Sequence, residues 1–196
     1  MLSPHGSDHR CRHAAVSNCV MQTISPIQTE QASGATQRLL VATDGEVSNM
    51  LRTVAHSPCA LQGYVEFRRA LHSGGLSPKI REQIALAVAQ TNLCEYSITE
   101  HAHRAALLGL TPEEITESRS ARSRDWGTDA LLRFARDLAA RRGQWSLEEL
   151  RECGYSDADI IEVMALVALN VFENYVNDVA LTELDYPKLV RDVRAA

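Results

Sequence analysis

From Leu39 onward the apolar positions recur every three or four residues, and the punctuation between them is that of helices. Ser77-Pro78 sets a capping hydroxyl ahead of a proline at the first helical position, and Thr111-Pro112-Glu113-Glu114 does the same while completing a capping box. Ser146-Leu147-Glu148-Glu149 is another capping box and Ser156-Asp157-Ala158-Asp159 a weaker one. Gly75, Gly109, Gly143 and Gly154 fall where a left-handed residue stops a helix. The pattern predicts helices at about 46–55, 59–73, 78–91, 93–108, 112–119, 127–141, 147–153 and 157–180, and no strand. Ile84 to Ala89, and the run from Ile160 to Phe172, are apolar around most of the helix circumference, so they belong inside a bundle or in a subunit interface.

Residues 1 to about 38 are rich in Ser, Thr, Gln and His with no helical or strand period, and are expected to form a flexible tail before one helical domain over 39–196. Met21 reads like an ordinary protein start, so residues 1–20 are expected to be an upstream extension. Composition narrows the class. With 45% hydrophobic and 23% charged residues in 196, the chain is of the globular type. A formal charge of −5 supplies no basic field for phosphate backbones, and nucleic acid is not an expected partner. No apolar window reaches the length of a membrane helix, and the N-terminus has no secretory signal run, which leads us to expect a cytoplasmic protein with no membrane partner. Five cysteines, Cys11, Cys19, Cys59, Cys94 and Cys153, form an odd set without close pairs, so neither a disulfide framework nor a four-thiolate zinc site is indicated. His5, His9, Cys11, His13 and Cys19 match no ligand template; no metal and no cofactor are expected.

The chemistry-bearing stretch is Thr91 to His101. On a helix beginning near Asn92, the residues Cys94, Ser97 and His101 are three and four apart and line one face. Cys94 is then expected in the first turn, where free amides and the dipole favour a thiolate. His101 is placed to take the thiol proton, and Glu82 on the preceding helix to hold the imidazole. The plainer reading is that Cys94 is a small core residue and His101 a satisfied one. Arg119, Arg122 and Arg124 read as a solvated loop, His103 as an exposed histidine, and Tyr96 as packing over the pocket mouth. Asn170, Asn174 and Asn177 interrupt the last long helix on one side and are assigned to a subunit contact or the pocket lining.

Glu82, eleven residues, Cys94, two, Ser97, three, His101: this spacing resembles the signature of the alkylhydroperoxidase D-like (AhpD-like) members of the carboxymuconolactone decarboxylase family. The resemblance extends over about residues 45–187, through "REQIALAVAQTNLCEYSITEHAHRAALLGLTPEEI" and "NVFENYVNDVALTELDYP". It implies an all-α, AhpD-like helical bundle that assembles into trimers or hexamers. It also implies a Cys-x-x-Cys pair that reduces peroxides with Glu and His as proton relay. Here the second cysteine is Ser97, which cannot close a disulfide, so the intramolecular dithiol cycle is impossible at this site. What the resemblance then implies is a peroxidase-related oxidoreductase of one cysteine. Cys94 would act on a small-molecule peroxide or thiol, His101 and Glu82 would relay protons, and Ser97 would donate a hydrogen bond. Two alternatives stand beside it. One is a decarboxylase acting on a small lactone acid with Glu82 and His101 as acid and base. This reading is ranked lower because the block between Glu82 and Arg104 contains no Arg or Lys for the substrate. The other is a non-catalytic helical oligomer with a degenerate pocket.

Overall fold

The protein is described by a computed structural model over residues 22–41, 47–142, 145 and 147–185. A short 3₁₀ turn, Thr29–Gln31, precedes α1 (Gly34–Val41), α2 (Asn49–Val54), α3 (Pro58–His72), α4 (Pro78–Asn92), α5 (Glu95–Leu107), α6 (Pro112–Arg119), α7 (Trp126–Ala139), α8 (Glu148–Glu152) and α9 (Asp157–Ala180). There is no strand among the described residues. Helix starts follow their capping chemistry. Ser77 Oγ accepts from the Ile80 amide with Pro78 at the first turn, and the reciprocal capping boxes of Thr111 with Glu114 and of Ser156 with Asp159 are both formed. Ser146 and Gly143 lie outside the described residues, and the N-cap of α8 is Leu147, without a side-chain bond.

Helix α4 is the axle of the bundle. It packs on α5, α6, α7 and α9, and Ile84 to Ala89 are all buried, which is why this run shows almost no polar face in the sequence. The largest buried cluster joins Leu61, Ile84, Val88, Leu131, Leu132 and Val163. Helix α9 buries one side in that core but presents Ile161, Met164, Phe172, Tyr175 and Val179 outward. Helix α1 crosses the boundary expected at residue 38, because Thr36 and Leu40 pack inward and Leu39 joins the main core. The chain before it also docks, with the Thr23 amide bonded to the Ala180 carbonyl. Residues 1–21, with their histidines and two cysteines, lie outside the described residues.

The helix stops are made differently from expectation. Gly109 and Gly154 have φ of 82° and 90°, as predicted, but α4 and α9 end on left-handed Leu93 and Leu181. Leu93 matters most. Its turn separates α4 from α5, so Cys94 is the N-cap of α5 rather than a first-turn residue.

Candidate functional site

Helices α3, α4, α5 and α9 converge on His101, which is 5% exposed. Nδ1 lies 2.8 Å from Glu82 Oε2, and Nε2 lies 3.5 Å from Glu173 Oε2. The ring is thus held between a carboxylate from α4 and one from α9. Tyr64 donates its hydroxyl to the other oxygen of Glu173 at 2.7 Å. Burial alone would lower the proton affinity of His101, but the two carboxylates overcome it and raise the pKa to about 9. Both carboxylates are correspondingly held below the usual range by the imidazolium, against the opposing effect of burial. At neutral pH this is an imidazolium between two carboxylates.

A polar cavity of about 50 Å³ opens beside the ring, walled by Tyr64, Arg68, Tyr96, Ser97, Glu100, Arg104 and Asn177 among others. Arg104 binds Glu100 at 2.6 Å. Tyr96 lies at the wall as expected of a mouth residue, and its hydroxyl is tied to Asp185 and to the Met50 amide, which fixes the chain after α9 against α2.

Cys94 is placed otherwise than a reactive thiol requires. It is 1% exposed and does not wall the cavity. Burial pushes its pKa up to about 11, and the hydrogen bonds from Ser97 lower it only in part. The expected first-turn thiolate is therefore corrected: Cys94 stands at the N-cap of α5, and desolvation outweighs the Ser97 hydroxyl and amide that approach its sulfur. The side chain that faces the cavity is Ser97, whose Oγ accepts from Cys94 Sγ and from Asn177 Nδ2, both at 3.3 Å. The structure brings Glu82 to His101, and Ser97 to Cys94, with Ser97 and His101 in one cavity wall. His101 is committed to carboxylates at both nitrogens rather than to sulfur.

Three residues of the site, Glu173, Tyr64 and Arg68, escape the sequence reading. Glu173 carried a signal, as an acid in an apolar helix between Asn170 and Asn177. The three asparagines of α9 are buried within the chain itself: Asn177 walls the cavity, as one of the two assignments had it, and Asn170 Nδ2 bonds to the Leu166 carbonyl four residues back. The arginines of the loop after α6 are partly committed, Arg122 to Asp129 and Arg124 to Glu117. His103 is half-buried. Among the described residues no cluster of metal-ligating side chains exists.

An all-helical bundle whose central helix supplies one carboxylate to a histidine on the next defines the class. The sequence profile of the Carboxymuconolactone decarboxylase family matches residues 58–141, the segment from α3 to α7. Solved structures share the fold. The debrominase Bmp8, as a variant in complex with 2,3,4-tribromopyrrole, is 17% identical with a TM-score of 0.74, covering 90% of this chain and 97% of its own. An uncharacterized peroxidase-related protein with an alkylhydroperoxidase AhpD core from Ralstonia eutropha is 20% identical with a TM-score of 0.74, covering 85% of this chain and 95% of its own. A further uncharacterized peroxidase-related protein, from a Silicibacter species, is 20% identical with a TM-score of 0.70, covering 84% and 93%. No curated protein matches the chain. The AhpD-like, all-α fold is thereby established.

Proposed function

We propose that the protein is an acid–base enzyme of the decarboxylase type, in which His101 transfers a proton to a small carboxylic acid bound in the polar cavity. The observation that carries this reading is the imidazole held between Glu82 and Glu173 at the cavity wall. Glu82 engages Nδ1 at 2.8 Å, and the longer 3.5 Å contact of Nε2 with Glu173 makes the Nε2 proton the more readily given of the two. With a pKa near 9, the ring rests as imidazolium and acts as the acid. When a substrate carboxylate leaves as carbon dioxide, its bonding electron pair stays on carbon, and the Nε2 proton quenches that charge. The cation missing from the block Glu82 to Arg104 comes from Arg68 on α3, with Arg104 itself in the same wall. Incubation with a panel of small carboxylic acids in deuterated water tests the reading. Solvent deuterium should enter the product carbon, the activity should vanish in His101→Gln, and it should survive Cys94→Ala. Loss in Cys94→Ala with retention in His101→Gln would transfer the function to the thiol.

A second reading keeps Cys94 as the reactive group, a peroxidase-related thiol protein with Glu82, His101 and Ser97 in support. Its favouring observation is the contact of Sγ with Ser97, which faces the cavity. With a pKa near 11, on the order of one molecule in ten thousand carries the thiolate at neutral pH, so this chemistry needs the start of α5 to open first. The outward apolar row of α9 supports the homo-oligomer as part of the same proposal. Light scattering on wild type and Tyr175→Glu reads it: a lower mass in the variant is expected, and a monomeric wild type removes it.

A further inference from the structure

The cavity holds three binding groups that the protein itself leaves uncommitted. Asn177 is 4% exposed and gives Nδ2–H to Ser97, while its Oδ1 has no hydrogen-bond partner among the described residues. A buried amide oxygen in that state requires a donor. Ser97 Oγ receives Asn177 Nδ2–H and the Cys94 thiol, which occupies both its lone pairs and frees its own O–H to be donated. Arg68, half-buried in the same wall, forms no ion pair among the described residues.

The ion pairs point the same way: Glu82 and Glu173 face His101, and Glu100 is bound by Arg104, so Arg68 is the cation of the wall with no carboxylate of its own among the described residues.

We infer that the cavity takes a small hydroxy acid, its carboxylate on Arg68 and its hydroxyl between Ser97 and Asn177. The hydroxyl accepts the Ser97 proton and gives its own to Asn177 Oδ1. A hydroxyl is the smallest group that both accepts and donates at one atom, which is what a donor beside an acceptor selects. Size agrees. A cavity of about 50 Å³ offers roughly three to five water-sized positions, the space of a glycolate or lactate. An acid without the hydroxyl leaves Asn177 Oδ1 and the Ser97 proton unpaired, and buried polar groups so stranded give strong discrimination. This inference rests on the reading of His101 as a proton-transfer centre and names the substrate class for it.

Isothermal titration of the full chain with glycolate and with acetate tests it without any turnover. Wild type should bind glycolate at least about tenfold more tightly than acetate. Asn177→Leu should bring the two acids together, and Arg68→Met should weaken both by about tenfold. Ser97→Ala provides the same readout should Asn177→Leu fail to fold. Equal binding of both acids, no binding of either, or a preference that survives these changes overturns the inference. The His101 ring resonances, titrated in the same samples, separate the two levels. A pKa near 9 with no glycolate preference removes the hydroxy acid alone, whereas a pKa near 6.5 removes the proton-transfer reading beneath it.

Discussion

Ser97 Oγ stands 3.3 Å from Cys94 Sγ and separates that sulfur from the cavity that His101 walls. One atom therefore decides whether the site presents sulfur or oxygen to a ligand. The substitution Ser97→Cys exchanges it, placing a thiol in the wall within reach of a second sulfur and beside the imidazolium. A hydroperoxide then oxidises the pair to a disulfide, giving an alcohol and water. The variant should consume peroxide with an external dithiol as reductant while wild type does not; coupled peroxide assays on both read the difference. No gain would mean that the Glu82–His101 pair is not arranged to serve a thiol.

Cys94 is sealed while Cys59 is exposed at the first turn of α3. With a chromogenic disulfide at neutral pH, Cys59 should react at least about a hundredfold faster than Cys94, whose labelling should await unfolding. Mass mapping after timed quenching assigns the sites. Cys94→Ala should cost only about 1 to 2 kcal/mol, as a small buried side chain does.

The pH dependence of stability follows from His101. Its folded pKa of about 9 lies above the ordinary 6.5, so its contribution is complete below pH 6.5 and is lost as the pH rises toward 9. Over that window the change is on the order of 3 kcal/mol. The Cys94 thiol, also raised, extends the decline above pH 9. Denaturant midpoints at pH 6, 7.5 and 9 should fall steadily in wild type and stay nearly level in His101→Gln. On the acid side, Glu82 and Glu173 have lowered pKa values, so their contribution is present above the usual carboxylate range and disappears on acidification.

Leu93 holds φ of 58° and is 73% exposed. A side chain in the left-handed region costs about 1 to 2 kcal/mol, and this one recovers little by packing. Leu93→Gly should therefore stabilise the protein by up to about 1 kcal/mol, after the larger entropy of an unfolded glycine is counted, with no change at His101. Thermal unfolding gives the sign; a loss of stability would show that Leu93 packs more than its exposure indicates.

The helices α2 to α9 are legible in the sequence because their signals are local. A capping hydroxyl, a proline at the first turn and an apolar period act within a few residues, so Ser77, Thr111 and Ser156 mark starts that the fold reproduces. Helix α1 is not legible, since only the surface it covers makes Thr36 and Leu40 inward residues. The break at Leu93 is missed for a related reason: it obeys no glycine rule and is set by how α5 must turn to pack on α4.

Spacing along the chain determined that Glu82 and His101 lie on neighbouring helices and that Cys94, Ser97 and His101 share one side of α5. Tertiary structure decided what those residues are. Burial of Cys94 outweighs the helix start that favours a thiolate, and Glu173, delivered by α9 from far along the chain, turns a histidine that the local pattern presents as a base into a held imidazolium. Protonation depends on the dielectric and charges arriving from every packed element, and no local pattern records them.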